Sequence, residues 1–112
     1  MNIQVTLNTA GKPPVTVSPT SASVERGTST ITWTQAPGQT FSFTSLAFTG
    51  NPSCCSKATV TATQMTVQDA NINPGAAVDY PYTIVVTSNN TPYSSAPAGI
   101  GGNPGDPMIK NK

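Results

Sequence analysis

Polar and apolar residues alternate along most of this chain with a period of two. The clearest stretch is Gly27 to Thr34, Gly-Thr-Ser-Thr-Ile-Thr-Trp-Thr. Thr28, Thr30, Thr32 and Thr34 share one parity, and Ile31 and Trp33 share the other. Such alternation buries one face of an extended strand and leaves the other in water. Threonine suits the outer face because its β-branched side chain favours extended backbone. Ile3, Val5 and Leu7 alternate in the same way, and Val15 to Val17 continues extended until Pro19, which marks an edge or a switch between sheets. Val24 precedes a turn at Glu25-Arg26-Gly27. Phe41 and Phe43 share one parity, and Leu46 and Phe48 share the other, so the phase slips near Ser45, which a β-bulge or a short break explains. Ala58, Val60 and Ala62 read as a further strand, with another phase change at Met65 and Val67. Asp69 to Ala77, containing Asn73-Pro74-Gly75, reads as a loop.

Val78, Tyr80, Tyr82, Ile84 and Val86 form the longest alternating run. It predicts a second central strand beside the Trp33 strand, with Ile31, Trp33, Tyr82 and Ile84 as the centre of the core. No segment carries a period of 3.6. The expected fold is therefore all-β: an immunoglobulin-like or cupredoxin-like antiparallel β-sandwich of six or seven strands. Residues 1–92 make the sandwich domain. Residues 93–112 make a Gly/Pro-rich tail, in which Asp106, Pro107, Met108 and Ile109 form an extended segment expected to dock along a sheet edge and to mediate interaction.

Composition narrows the functions. The chain has 112 residues, 36% hydrophobic but only 8% charged, with net charge +1. Serine and threonine supply roughly a quarter of it, well above the usual level. Such a surface is neutral and hydroxyl-rich and attracts neither nucleic acid nor anionic lipid. No apolar run approaches membrane-spanning length. Met1 to Leu7 lacks the basic and apolar regions of a signal peptide, so the default expectation is a cytoplasmic protein. Asn89-Asn90-Thr91 is a formal glycosylation sequon without that export context.

There is no histidine, which removes the usual base near neutral pH. The carboxylates are Glu25, Asp69, Asp79 and Asp106, each in or beside a predicted turn. A glycosidase pair drawn from them is the least favoured reading. Adjacent Cys54 and Cys55 can join only through a strained ring. With no histidine or third cysteine to complete a ligand set, they read as reduced thiols, one buried and one exposed, with intermolecular pairing or a vicinal disulfide as the alternatives, and with no metal or cofactor and no catalytic role.

The spacing of Pro19, Val24, Gly27, Ile31 and Trp33 resembles the early strands of cupredoxins, but a blue-copper site needs two imidazoles and a thiolate. Gly105-Asp-Pro-Met-Ile-Lys-Asn111, together with Val15-Thr-Val-Ser-Pro19 and Ile31-Thr-Trp33, resembles the DP-EP family of small bacterial proteins of unknown function. An Asp-Pro pair is present here and a Glu-Pro pair is not. The resemblance implies no activity. The expected function is a non-catalytic structural or interaction module that associates with itself or another protein through sheet edges and the tail. The alternative is a carbohydrate-binding module using exposed aromatics such as Tyr93, Tyr80 or Phe48.

Overall fold

The computed structural model describes residues 1–11, 14–25, 27–49, 54–71, 78–95 and 107–111. Every element it contains is a strand: β1 (Asn2–Leu7), β2 (Val15–Ser18), β3 (Ser21–Val24), β4 (Gly27–Gln35), β5 (Ser42–Phe48), β6 (Thr59–Val60), β7 (Gln64–Asn71), β8 (Val78–Ser88), β9 (Thr91–Ser94) and β10 (Met108–Asn111). They form two sheets packed face to face, an all-β sandwich. The first sheet runs β2-β1-β4-β7-β6. The second runs β3-β10-β8-β5, with β9 along the other half of β8.

Ten strands, not six or seven, are present among the described residues, and the sheets are not wholly antiparallel. β1 runs parallel to β4, and β10 runs parallel to β3. The extra strands have local causes. Pro19 cannot extend a ladder, so one extended segment is divided into β2 and β3, which join opposite sheets. Asn89 and Asn90, at φ 51° and 61°, make the two-residue turn that folds β9 back on β8, because a hairpin of this kind needs positive φ at both positions. The phase slip near Ser45 is a register shift between Phe43 and Ser45 against β8. Gly27, at φ +111°, turns the chain from β3 into β4 where a side chain would be strained.

The inward faces meet in one core. Ile31 and Trp33 from β4, with Ile3 and Val5 from β1, face Tyr82, Ile84 and Val86 from β8, and all are buried. β8 is not the hydrogen-bonded neighbour of β4 that the alternation predicts; the two are central strands of opposite sheets. Their meeting point is specific. The Trp33 and Tyr82 rings pack edge to face with centroids 5.3 Å apart. Trp33 Nε1 donates to the Tyr82 hydroxyl at 3.1 Å.

Residues 107–111 are built into the second sheet. β10 is not on an edge but lies between β8 and β3. Ile109 is fully buried, Tyr82 N donates to Pro107 O, and Met108 N donates to Thr20 O. Asp106 lies outside the described residues. Ala62 is outside any strand, and β7 extends to Asn71 where a loop from Asp69 is expected. That last difference creates the site.

Candidate functional site

Along β7 the buried positions are Met65, Val67, Asp69 and Asn71. The first two are ordinary core residues. The last two keep the same parity but are polar, so the strand carries a carboxylate and an amide into the interior. Asn71 is satisfied across the sandwich, where its Nδ2 donates to Val24 O at 3.0 Å. Asp69 is different.

The segment before β6 is stitched to β7 beside Asp69. Ala70 N donates to Cys54 O at 2.8 Å, Ser56 N to Gln68 O at 2.9 Å, and Gln68 N to Ser56 Oγ at 3.0 Å. Cys55 pairs with Asp69 as an isolated antiparallel bridge. These bonds hold both thiols against the Asp69 carboxylate. Cys54 and Cys55 are free, their sulfurs 3.2 Å apart. The two sulfurs and a carboxylate oxygen all lie within 4.8 Å of one another. Both thiols are half-buried; the division into one buried and one exposed does not occur, because the two side chains converge on one point.

The fourth contributor comes from the second sheet. Asn111 closes β10 with its side chain turned inward. Its Nδ2 donates to Asp69 Oδ1 at 3.0 Å and lies 3.7 Å from Cys54 Sγ. Asp69 Oδ2 and Asn111 Oδ1 are buried without a hydrogen-bond partner. Tyr80, on β8, completes the surroundings with its hydroxyl against Cys54.

The electrostatics reflect a desolvated cluster of acids. Burial pushes the Asp69 carboxyl above its ordinary value, against the opposing effect of hydrogen bonds from Asn111 and Cys54. Burial, then the hydrogen bond to Cys54, then the Asp69 charge raise the Cys55 thiol strongly. Burial and the neighbouring thiols also raise Tyr80. An unpartnered buried carboxylate oxygen is costly, and a cation at this point would satisfy it. Beside the cluster a groove of about 310 Å³, lined by Leu46, Phe48, Cys55, Lys57 and Ala58 among others, opens to solvent.

In the sequence Cys54 and Cys55 have no histidine or third cysteine to serve as a third metal ligand. Asp69 supplies that ligand, because the strand parity continues past the point where the residues turn polar. The 65, 67, 69, 71 series is the signal that could have found it. Asn111 is likewise in phase with Ile109 on β10. The other described carboxylates, Glu25 and Asp79, are exposed, and Asp79 faces Lys110 Nζ at 3.9 Å on the surface. None of the seven aromatics is exposed. Trp33, Phe41, Phe43 and Tyr82 are buried, and Phe48, Tyr80 and Tyr93 are half-buried.

In sequence comparison no protein family matches this chain, and no curated protein does either.

Proposed function

We propose that this chain is a non-catalytic binding module whose ligand is a thiophilic metal cation held by Cys54, Cys55 and Asp69. The observation that carries this reading is the convergence of two thiols and a buried, partly unpartnered carboxylate within 4.8 Å. Sulfur donors favour Zn²⁺, Cu⁺ and similar ions over Mg²⁺ and Ca²⁺, which require sets of oxygens. Zn²⁺ is the representative choice because it imposes no geometry of its own and accepts mixed sulfur and oxygen ligands. Two thiolates on one tetrahedral zinc stand about 3.8 Å apart. The observed 3.2 Å between Cys54 and Cys55 would have to open by about 0.6 Å to reach that spacing.

The test is titration of the reduced, metal-free protein with Zn²⁺ against a colorimetric chelator, and with Cd²⁺ while following the ultraviolet thiolate charge-transfer band. One ion per chain is expected, resisting excess Mg²⁺ and Ca²⁺ and lost in Cys54→Ser/Cys55→Ser. The absence of a thiolate band in the wild type would reject the proposal.

Self-association through sheet edges has less to support it. Four edge strands among the described residues, β2, β3, β6 and β9, have four, four, two and four residues. The fifth, β5, is bulged, and its Phe43 N already donates to Ala62 O. Sugar binding would want a flat exposed aromatic surface, and every aromatic is at least half-buried.

A further inference from the structure

We infer that Asn111 turns its amide over to become the fourth ligand of the cation, so that docking of the last strand depends on the bound ion. This rests on the metal reading above and adds the regulation of that site.

Asn111 is almost fully buried, and its two amide atoms are in unequal positions. Nδ2 sits among the donor atoms, 3.0 Å from Asp69 Oδ1 and 3.7 Å from Cys54 Sγ. Oδ1 is buried without a partner. In the metal-free protein this orientation is sensible, because the amide donates to the carboxylate. With a cation between the thiolates and the carboxylate it is wrong, because an N–H would then face positive charge.

Rotating the amide by half a turn exchanges nitrogen and oxygen with almost no movement of heavy atoms. The oxygen then takes the place Nδ2 has now. Ligands sharing one tetrahedral zinc stand about 3.4 Å apart for two oxygens and about 3.6 Å apart for oxygen and sulfur. The available separations, 3.0 Å and 3.7 Å, match within a few tenths of an ångström. The turn exchanges one unpartnered buried atom for another and gives up the hydrogen bond from Nδ2 to Asp69, which coordination of the cation replaces. The result is a closed, four-coordinate set of two sulfurs and two oxygens.

The four ligands come from three segments. Cys54 and Cys55 precede β6, Asp69 is on β7 of the first sheet, and Asn111 ends β10 of the second. The ion would therefore tie the two sheets together and hold β10 between β3 and β8.

The experiment compares wild type, Asn111→Ala and Asn111→Asp, each confirmed as folded by circular dichroism. Zinc affinity is read by chelator competition. Exchange of the Met108–Asn111 amides is read with and without Zn²⁺, relative to amides of the distant β5. Asn111→Ala should bind about tenfold more weakly or worse, within the range seen when groups supporting a metal site are removed. Asn111→Asp, which keeps an oxygen there, should recover the affinity. Zinc should slow β10 exchange beyond that of β5 in the wild type and lose this selectivity in Asn111→Ala. Unchanged affinity in Asn111→Ala, or equal zinc protection of β5 and β10 in the wild type, overturns the inference while leaving the three-ligand site standing. If Asn111→Ala does not fold, Asn111→Asp and the wild-type exchange decide alone: affinity well below wild type in Asn111→Asp counts against an oxygen ligand. A wild-type protein that binds no zinc overturns both proposals.

Discussion

Tyr82 is both a packing partner of Trp33 and the acceptor for its only polar atom. Burial raises the Tyr82 hydroxyl to about 12, with the Trp33 hydrogen bond acting the other way. The hydroxyl thus stays neutral through ordinary conditions. Trp33→Ala should cost on the order of 3–5 kcal/mol, as large core truncations do, out of about 5–15 kcal/mol for a domain of this size. Tyr82→Phe keeps the ring but orphans Trp33 Nε1, which should cost about 1–3 kcal/mol. Urea denaturation measures both, and a Tyr82→Phe midpoint equal to that of wild type would remove the hydrogen bond from the account. Asp69 gives the opposite kind of residue effect. Its carboxyl is raised in the folded protein above 3.8, so the folded state binds the proton more tightly than the unfolded state. Stability from this group is therefore greatest below that value and declines as pH rises through the window up to the raised folded value. Cys55 and Tyr80, also raised from still higher ordinary values, ionise above that window. In metal-free protein, Asp69→Asn should gain on wild type in melting temperature as pH climbs through it. A constant difference between the two across pH would refute a desolvated Asp69.

β7 and β10 mark the boundary of what the sequence discloses. β4 is legible because apolar and polar types alternate without interruption, so Ile31 and Trp33 declare their face. β7 begins just as clearly with Met65 and Val67. Asp69 and Asn71 then obey the geometry of the strand while breaking its chemistry, and a reading by residue type ends the strand too early. The site was hidden for that reason: its central ligand looks like a loop residue. The partners of Asp69 are remote in sequence, with Cys55 fourteen positions before it and Asn111 forty-two after it. Local pattern does not encode such pairing. β10 was legible as extended, since Met108 and Ile109 follow Pro107, but its interior position depends on the gap left between β3 and β8. That placement gives Ile109 a core role. Ile109→Ala should cost about 2–5 kcal/mol, whereas Met108→Ala, half-buried, should cost less. Equal and small losses in denaturant midpoint would mean that β10 is only loosely attached.

Among the described residues, packed apolar faces and backbone ladders dominate, and the sequence holds few charges to add to them. The Lys110–Asp79 pair has side chains 43% and 50% exposed, and exposed pairs contribute about 0–1 kcal/mol. The melting temperature of the metal-free protein should therefore hold within a few degrees between about 10 mM and about 150 mM salt, a range over which screening of surface charges changes greatly. A large shift would reveal charge interactions beyond those described.

The interior placement of β10 also orders events during synthesis. The ribosome delivers β3 and β8 long before the residues that must lie between them. Until residue 111 has emerged, the second sheet has a gap at its centre, and the inner faces of β3 and β8 stay incompletely covered. The second sheet of this sandwich therefore closes only once β10 is available to pair with both β3 and β8. Its folding has the slow character of topologies dominated by pairings remote in sequence. For that interval the nascent chain presents unpaired strand edges to its surroundings, the state in which chaperones engage client proteins.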